Sequence, residues 1–273
     1  MATVATAAPE RSTPVPQPKA TPRTTPSATP SGAPTQQPTE HPEAGMTANP
    51  ATSRARLAII IDDCGQWLNV ERGFIALPVP VTLSVLPDVH GTKIIADEAE
   101  AAGKGVMLHL PMETLSGLYP GPGEITTKMT DAKIESTLRA DLAQVPLAQG
   151  VNNHEGSKAT ADPRVMHDVA EILAKRNLFF VDSRTNGKSV AAETTKALGI
   201  PTASRDVFLD NHANEAYTIG QLRAAGRIAL DHGSAIAIGH PRATTLAAIK
   251  SMLPEFARAG ITLVLVRDLT ANP

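Results

Sequence analysis

The chain has 273 residues, a formal net charge of −2 and a single cysteine. A nearly neutral chain gives no electrostatic reason to expect nucleic acid or an anionic membrane surface as partner, and one cysteine excludes an intrachain disulfide. No apolar run reaches the roughly 18 residues that a transmembrane helix needs, so the sequence predicts none.

The first part of the chain differs in composition from the rest. Residues 1–50 hold 11 of the 23 prolines and contain no Phe, Trp, Tyr, Leu or Ile. Such a segment cannot bury enough apolar surface to offset the entropy lost on ordering. We therefore expect residues 1–54 to form a disordered linker rich in Pro, Thr and Ala, and residues 55–270 to form one globular domain.

The start of the sequence lacks the basic and apolar regions of a secretory signal peptide. A long proline-rich segment often tethers a domain to another structure. We therefore expect an anchor upstream of this chain and a periplasmic or cell-envelope location. The sequence does not indicate an oligomeric state.

From residue 57 onward, short apolar runs alternate with amphipathic stretches. Continuously apolar runs predict strands buried on both faces, and helices between them predict parallel βα units. Seven to eight such units favour a closed or nearly closed barrel, with an open doubly wound sheet as the alternative. The predicted strands are 57–61, 81–86, 106–110, 150–152, 178–181, 201–204, 235–238 and 261–266, and the predicted helices are 92–102, 131–144, 162–175, 214–231 and 244–259.

Polar residues follow the predicted strands at their carboxyl ends, which is where active sites form in parallel α/β folds. One strand-end aspartate alone is often only a helix N-cap, but five or more strand ends with such residues indicate a site. These residues are Asp62 and Asp63 after the first strand, His109 after the third, Asn152, Asn153 and His154 after the fourth, Asp182, Ser183 and Arg184 after the fifth, Arg205, Asp206 and Asp210 after the sixth, and His240 after the seventh.

Carboxylate and imidazole groups in this arrangement predict metal-assisted hydrolysis. They suit Zn²⁺ and similar ions, and a site with three protein ligands leaves a position for a water whose pKa the ion lowers. A second carboxylate beside the ligand can accept the proton of that water. Because Asp62 and Asp63 are adjacent, one of them can bind the metal while the other acts as the base.

Five short motifs, taken together, resemble one known family. Ile-Ile-Asp-Asp-Cys-Gly at 60–65 is similar to the Thr-Phe-Asp-Asp-Gly motif of the polysaccharide deacetylases, the NodB-homology esterases of the carbohydrate esterase family 4 superfamily. The ordered set resembles the divergent polysaccharide deacetylase family from about residue 55 to 268. The other motifs are His-Leu-Pro-Met-Glu at 109–113, Gly-Val-Asn-Asn-His-Glu-Gly-Ser at 150–157, Asp-Ser-Arg-Thr at 182–185 and Ile-Gly-His-Pro at 238–241.

The resemblance implies a distorted (β/α) barrel, a divalent metal with zinc as the expected ion, and removal of acetyl groups from a polysaccharide or cell-envelope glycan. By motif position, Asp62 is the base and His240 the general acid, while Asp63 and His109 are metal ligands. The remaining strand-end residues that we expect at the substrate are Asn153, Asp182, Arg184, Arg205 and Asp206.

The sequence departs from the family pattern at two places. The second imidazole usually stands four positions after His109, where this chain has Glu113, so His154 is the candidate third ligand. The Arg-x-Pro motif that usually follows the fourth strand is absent. A second hypothesis therefore stays open, in which the barrel keeps the pocket, lacks efficient catalysis and binds a glycan or an envelope partner. A glycosidase using Asp62 and Asp206 is a further alternative that no motif identifies.

Each candidate also has a structural interpretation. The two adjacent aspartates are alternatively a helix cap, and the three histidines are alternatively buried or loop-orienting side chains. Asp182 is equally well an ion-pair partner of Arg184 or Arg205. Cys64, beside the aspartates, is a candidate soft ligand, although a small buried residue is the interpretation that we favour.

Overall fold

The computed structural model describes residues 55–270, and the expected linker at 1–54 lies outside the described residues. The described part is one parallel sheet with helices between its strands. Its strands are β1 (Ala55–Cys64), β2 (Thr82–Val85), β3 (Gly105–Met112), β4 (Gly150–Glu155), β5 (Phe179–Asp182), β6 (Thr202–Ser204), β7 (Val207–Phe208), β8 (Ser234–Gly239) and β9 (Ile261–Val264). Its helices are α1 (Leu68–Ile75), α2 (Thr92–Ala101), α3 (Asp131–Gln144), α4 (Pro163–Arg176), α5 (Ala191–Ala197), α6 (Glu215–His232), α7 (Ala243–Arg258) and α8 (Arg267–Thr270).

The strand order shows how the sheet curves. Neighbouring strands pair in the order β6-β5-β4-β3-β2-β1-β8-β7, and β9 pairs with the first part of β1. The two outermost strands, β6 and β7, are consecutive in the chain and only Arg205 and Asp206 separate them. The opposite ends of the sheet are therefore held next to each other, and the distorted (β/α) barrel that the sequence predicted is confirmed.

The apolar runs form strands because both of their faces are buried. Leu57, Ile59 and Ile61 of β1 belong to the large core between the sheet and the helices, whereas Ala58 and Ile60 belong to a second core. The second core joins β1, β3, β5 and β8, which are not all neighbours in the sheet, so it lies inside the curve of the barrel. Its buried members are Ala58, Ile60, Met107, Phe179, Val181, Ile236, Ile238 and Val266.

The long helices begin and end where local chemistry predicts. Asp162 caps α4 by accepting hydrogen bonds from the backbone N–H groups of Arg164 and Val165, and Pro163 stands in its first turn. Asn214 caps α6 in the same way. Three short helices, α1, α5 and α8, and the two-residue strand β7 were not predicted. Among residues 55–270, none of the helices has the length and hydropathy that crossing a bilayer requires.

Candidate metal centre

A bulge at the end of β1 brings two adjacent carboxylates to the same place. Side chains alternate along a strand, so Asp62 follows Ala58 and Ile60 toward the barrel interior, and Asp63 would normally point away. Asp63 instead has a left-handed backbone with φ 58°, and the pairing with β2 shifts register between Ile61 and Cys64. Aspartate is one of the few residues with a side chain that tolerates this conformation. The bulge therefore presents both carboxylates to His109.

Three side chains from three strands converge on one point. Asp63 Oδ1 lies 3.2 Å from His109 Nε2 and 2.9 Å from His154 Nδ1, and these two nitrogens are 3.1 Å apart. Ligand bonds of about 2 Å in a tetrahedral site separate neighbouring ligand atoms by roughly 3.3 Å. The three atoms are therefore spaced as a small divalent ion requires. The predicted trio of Asp63, His109 and His154 is brought together, and it forms a group that could hold a metal ion.

The electrostatics of the cluster also favour a cation. Burial alone would raise the pKa of Asp63, but the imidazoles of His109 and His154 hold that pKa well below its ordinary value. Burial would lower the pKa of His109, yet the carboxylates of Asp62 and Asp63 raise it. The two carboxylates thus favour a positive charge on the His109 ring, and a divalent ion would supply positive charge at the same place.

Asp62 lies beside the cluster but in a different environment. It is almost fully buried, its Oδ2 is 3.6 Å from His109 Nε2, and its Oδ1 accepts a hydrogen bond of 2.9 Å from Asn152 Nδ2. Burial raises the pKa of Asp62, although His109, His240 and the hydrogen bond from Asn152 oppose the shift. Two neighbouring aspartates therefore have pKa values shifted in opposite directions, which favours different roles for them.

His240 approaches from the other side of the site. Its Nε2 lies 3.7 Å from Asp63 Oδ2, and its Nδ1 contacts Asp210 Oδ1 at 2.8 Å. Asp210 is fully buried and accepts a second hydrogen bond from Thr245 Oγ1. Burial lowers the pKa of His240, but the hydrogen bond to Asp210 and the charge of Asp63 raise it overall. From the sequence, Asp210 could be identified only as a strand-end residue. Its contact with His240 can be seen only in the structure.

Two predicted substrate contacts make hydrogen bonds within the protein. Asn153 is buried, and its amide accepts from the Ser183 backbone N–H and donates to the Glu155 carbonyl. Asp182 is also buried, and its carboxylate accepts from the Arg184 backbone N–H and from Ser189 Oγ. These polar atoms tie together the loops after β4 and β5. Both side chains are therefore engaged with the protein itself, and their expected contact with a substrate stays a prediction.

The three other predicted substrate contacts lie around the segment that joins β6 to β7. Arg205 donates to the carbonyl oxygens of Ser183 and Arg184 and lies over the Phe208 ring, so it is anchored rather than ion-paired with Asp182. Asp206 accepts from the Ile236 backbone N–H and joins β7 to β8. The bond uses only one carboxylate oxygen and Asp206 is exposed, so its place at a substrate stays a prediction. Arg184 is exposed and remains a candidate for contact with the substrate.

Glu113, at the position of the family's usual second imidazole, holds two loops together. It forms an ion pair of 2.7 Å with Lys158 and accepts from the backbone N–H and hydroxyl of Thr127. Burial raises its pKa, but Lys158 and Thr127 lower it to about 2. Cys64 is buried with its Sγ 3.2 Å from the Ile61 carbonyl oxygen, which agrees with a small packing residue.

The chain was compared with known proteins. A family model described as divergent polysaccharide deacetylase matches residues 59–270. An uncharacterized protein of Haemophilus influenzae is 36% identical over 201 residues, which cover 74% of this chain and 72% of that protein. The crystal structure of an uncharacterized protein of Agrobacterium tumefaciens C58 has a TM-score of 0.76 at 26% identity and covers 82% of this chain and 92% of that chain. A CE4 family pseudoenzyme of Bacillus anthracis has a TM-score of 0.52 at 11% identity, covers 80% of this chain and 66% of its own, and shares the fold alone.

Proposed function

The chain belongs to the divergent polysaccharide deacetylase family, and from this premise we propose that it is a metal-dependent hydrolase that removes acetyl groups from a polysaccharide or cell-envelope glycan. The observation that carries the proposal is the convergence of Asp63, His109 and His154, with Asp62 and His240 beside them. Family membership alone does not carry it, because proteins of one fold differ in activity.

The three converging side chains are the proposed ligands of a divalent ion. One carboxylate oxygen and two imidazole nitrogens suit Zn²⁺, and three protein ligands are typical of catalytic rather than structural zinc sites. When bound, such an ion lowers the pKa of a coordinated water and polarises the acetyl carbonyl group. Asp63, His109 and His154 would hold the ion and leave a position open for water.

Asp62 is the proposed general base. The hydrogen bond from Asn152 leaves Asp62 Oδ2 facing the cluster, where it can accept the proton of the attacking water. Burial raises the pKa of this carboxyl, which brings it closer to neutral pH and makes it a better proton acceptor than an ordinary aspartate. A base of this kind typically contributes about 10²–10⁴ to the rate.

His240 is the proposed general acid. Its Nδ1 proton is held by Asp210, so its Nε2 faces the site and can donate a proton to the leaving amine or alcohol. The arrangement of a buried carboxylate behind an imidazole fixes the ring and stabilises its protonated form. Asp62 and His240 thus both border the proposed ligands, Asp62 at 3.6 Å from His109 and His240 at 3.7 Å from Asp63.

A glycan-binding protein without efficient catalysis is the second candidate. The fold is known without activity, since one protein that shares it is described as a pseudoenzyme. The absent Arg-x-Pro motif also favours this alternative. In either case the proposed partner is a glycan of the cell envelope, and a periplasmic or envelope location follows as part of the same proposal.

Metal content and hydrolysis, measured on the same preparation, separate the two candidates. We expect the purified chain to retain about one zinc ion per molecule and to release acetate from acetylated chito-oligosaccharides. Asp62→Asn is the control for acetate released by a contaminating enzyme. If the chain binds zinc and glycan but releases no acetate from any acetylated glycan tested, the enzyme proposal fails and the binding protein replaces it.

A further inference from the structure

Asn152 lies between the proposed base and a proposed metal ligand. It is fully buried in β4, and its Cα is the register partner of His109 in the neighbouring strand β3. Its neighbour Val151 belongs to the core between sheet and helices, so the side chain of Asn152 points into the barrel interior. The role inferred for this residue rests on the proposed function.

Every hydrogen-bonding position of the Asn152 amide is filled. Oδ1 accepts from Ser84 Oγ at 2.5 Å and contacts His109 Nδ1 at 2.8 Å. Nδ2 donates to Asp62 Oδ1 at 2.9 Å and to Ser183 Oγ at 3.1 Å. A side-chain amide has two donor protons and two acceptor lone pairs, so this residue has no position left for a water or a substrate. Such a saturated, buried group is rigid.

The orientation of the amide follows from its contact with Asp62. An ionised carboxylate can only accept hydrogen bonds, so the –NH₂ end of Asn152 must face Asp62 and the carbonyl end must face His109. The carbonyl oxygen can only accept, so it stabilises the tautomer of a neutral His109 ring that carries its proton on Nδ1. In that tautomer Nε2 keeps its lone pair, and Nε2 is the atom that faces Asp63 and His154.

We infer that Asn152 is a positioning residue that sets the tautomer of His109 and the orientation of the Asp62 carboxylate together. A metal-binding histidine usually donates its other N–H to a carboxylate or a backbone carbonyl. Here a neutral amide takes that place. A carboxylate at position 152 would keep the bond to His109, but it would set a second negative charge against the buried Asp62.

Two substitutions separate these functions. Asn152→Asp keeps an acceptor for the His109 Nδ1 proton, so we expect the tautomer and the zinc affinity to be retained while kcat falls. Asn152→Ala removes the acceptor, so we expect a mixed tautomer, a zinc affinity about 10–100-fold weaker and a lower kcat. Ser84→Ala is the matched control, because it removes the other partner of Oδ1 and leaves the bond to His109.

The experiment is long-range ¹H–¹⁵N NMR of the histidine rings in the metal-free chain, at a pH where His109 is neutral, together with zinc titration and kcat. We expect the Nδ1–H tautomer in the wild type, in Ser84→Ala and in Asn152→Asp. If the neutral His109 ring of the wild type is protonated on Nε2, the inference is overturned. It is also overturned if Asn152→Ala leaves both the tautomer and the zinc affinity unchanged. The tautomer and the zinc affinity can be measured without turnover. If the variants change them as expected but the wild type releases no acetate, only the deacetylase proposal is contradicted and the role of Asn152 stands.

Discussion

The carboxylate of Asp210 holds His240 at two points, accepting hydrogen bonds from both its backbone N–H and its ring Nδ1 at 2.8 Å. Asp210 stands just beyond β7 and His240 just beyond β8, so the contact also joins two adjacent strand ends. Because Asp210 is fully buried and its second oxygen also bonds Thr245, the imidazole ring has little freedom to turn. The orientation of the proposed acid is therefore set by a residue that never touches the substrate.

The first prediction is that Asp210→Asn moves the alkaline limb of the pH–kcat profile to lower pH. The carboxylate raises the pKa of His240, and a general acid must be protonated, so loss of the charge shortens the active range at its alkaline end. We expect kcat at neutral pH to fall roughly tenfold or more. Asp206→Asn, which also removes a carboxylate bonded to backbone, is the control and should leave the limb in place. An unchanged limb in Asp210→Asn would show that His240 is not the titrating acid.

The second prediction concerns a buried carboxyl outside the site. Asp141 of α3 is almost fully buried, its Oδ2 has no hydrogen-bond partner in the described part of the chain, and burial together with Asp88 raises its pKa to about 7. A raised pKa means that the folded state prefers the protonated form, so stability is lost as pH rises from about 4 to about 7. Asp141→Asn should therefore stabilise the chain above pH 7, by at most about 4 kcal/mol, and have little effect near pH 4.

Urea unfolding at pH 4 and pH 8 measures this difference. Glu135→Gln, on the exposed side of the same helix, is the matched control and should change the free energy of unfolding by less than about 0.5 kcal/mol at either pH. A stabilisation by Asp141→Asn that is equal at both pH values would mean that folding does not raise the pKa of Asp141.

The third prediction tests how the loop after β1 is held. Glu71 of α1 is fully buried, and its Oε1 accepts from three successive backbone N–H groups, those of Gly65, Gln66 and Trp67. Glu71→Ala leaves these donors without a partner, so we expect a loss of about 2–4 kcal/mol in the free energy of unfolding. Glu71→Gln keeps an acceptor oxygen and should lose less.

The same loop follows Asp63, so Glu71→Ala should also weaken zinc binding, whereas Glu98→Ala should not. Glu98 is an exposed carboxylate that pairs with Arg72, and its removal should change stability by less than about 1 kcal/mol. A stable Glu71→Ala variant with unchanged zinc affinity would show that the loop is held by packing instead.

The architecture could be predicted because its signals are local. A parallel strand buried on both faces must be continuously apolar, and the polar residue that ends it must lie at the active edge of the barrel. That reasoning placed Asp62, Asp63 and His109 at the site, and it selected His154 although the family's usual position carries Glu113. The strand β7 and the helices α1, α5 and α8 are too short to show a periodic pattern, and they were missed.

Residues that act through hydrogen bonds could not be predicted from local patterns. Asn152 meets His109 because of the register between β3 and β4, and Asp210 meets His240 because β7 lies beside β8. Neither relationship can be recognised from spacing in the chain. The same limitation applies to the loop contacts of Asn153 and Asp182, since a polar residue at a strand end can face a substrate or bond the next loop.

The last prediction concerns the two adjacent aspartates. Asp63 contacts both proposed histidine ligands, whereas Asp62 contacts only His109, at 3.6 Å, and is bound by Asn152. Asp63→Asn should therefore lose zinc, and Asp62→Asn should keep it. Asparagine tolerates the left-handed backbone at position 63, so this change tests the charge rather than the bulge.

The two variants should differ most when zinc content and acetate release are measured together. Asp62→Asn should retain about one zinc ion after dialysis and lose about 10²–10⁴ in kcat, and His240→Ala should behave in the same way. Asp63→Asn should be inactive because its site holds no zinc. Added zinc should restore its activity only at concentrations well above those that saturate the wild type. If Asp62→Asn is the variant that loses the ion, the roles of the two carboxylates are exchanged. That outcome would be surprising, because only Asp63 stands within 3.2 Å of both imidazole nitrogens that the ion must share.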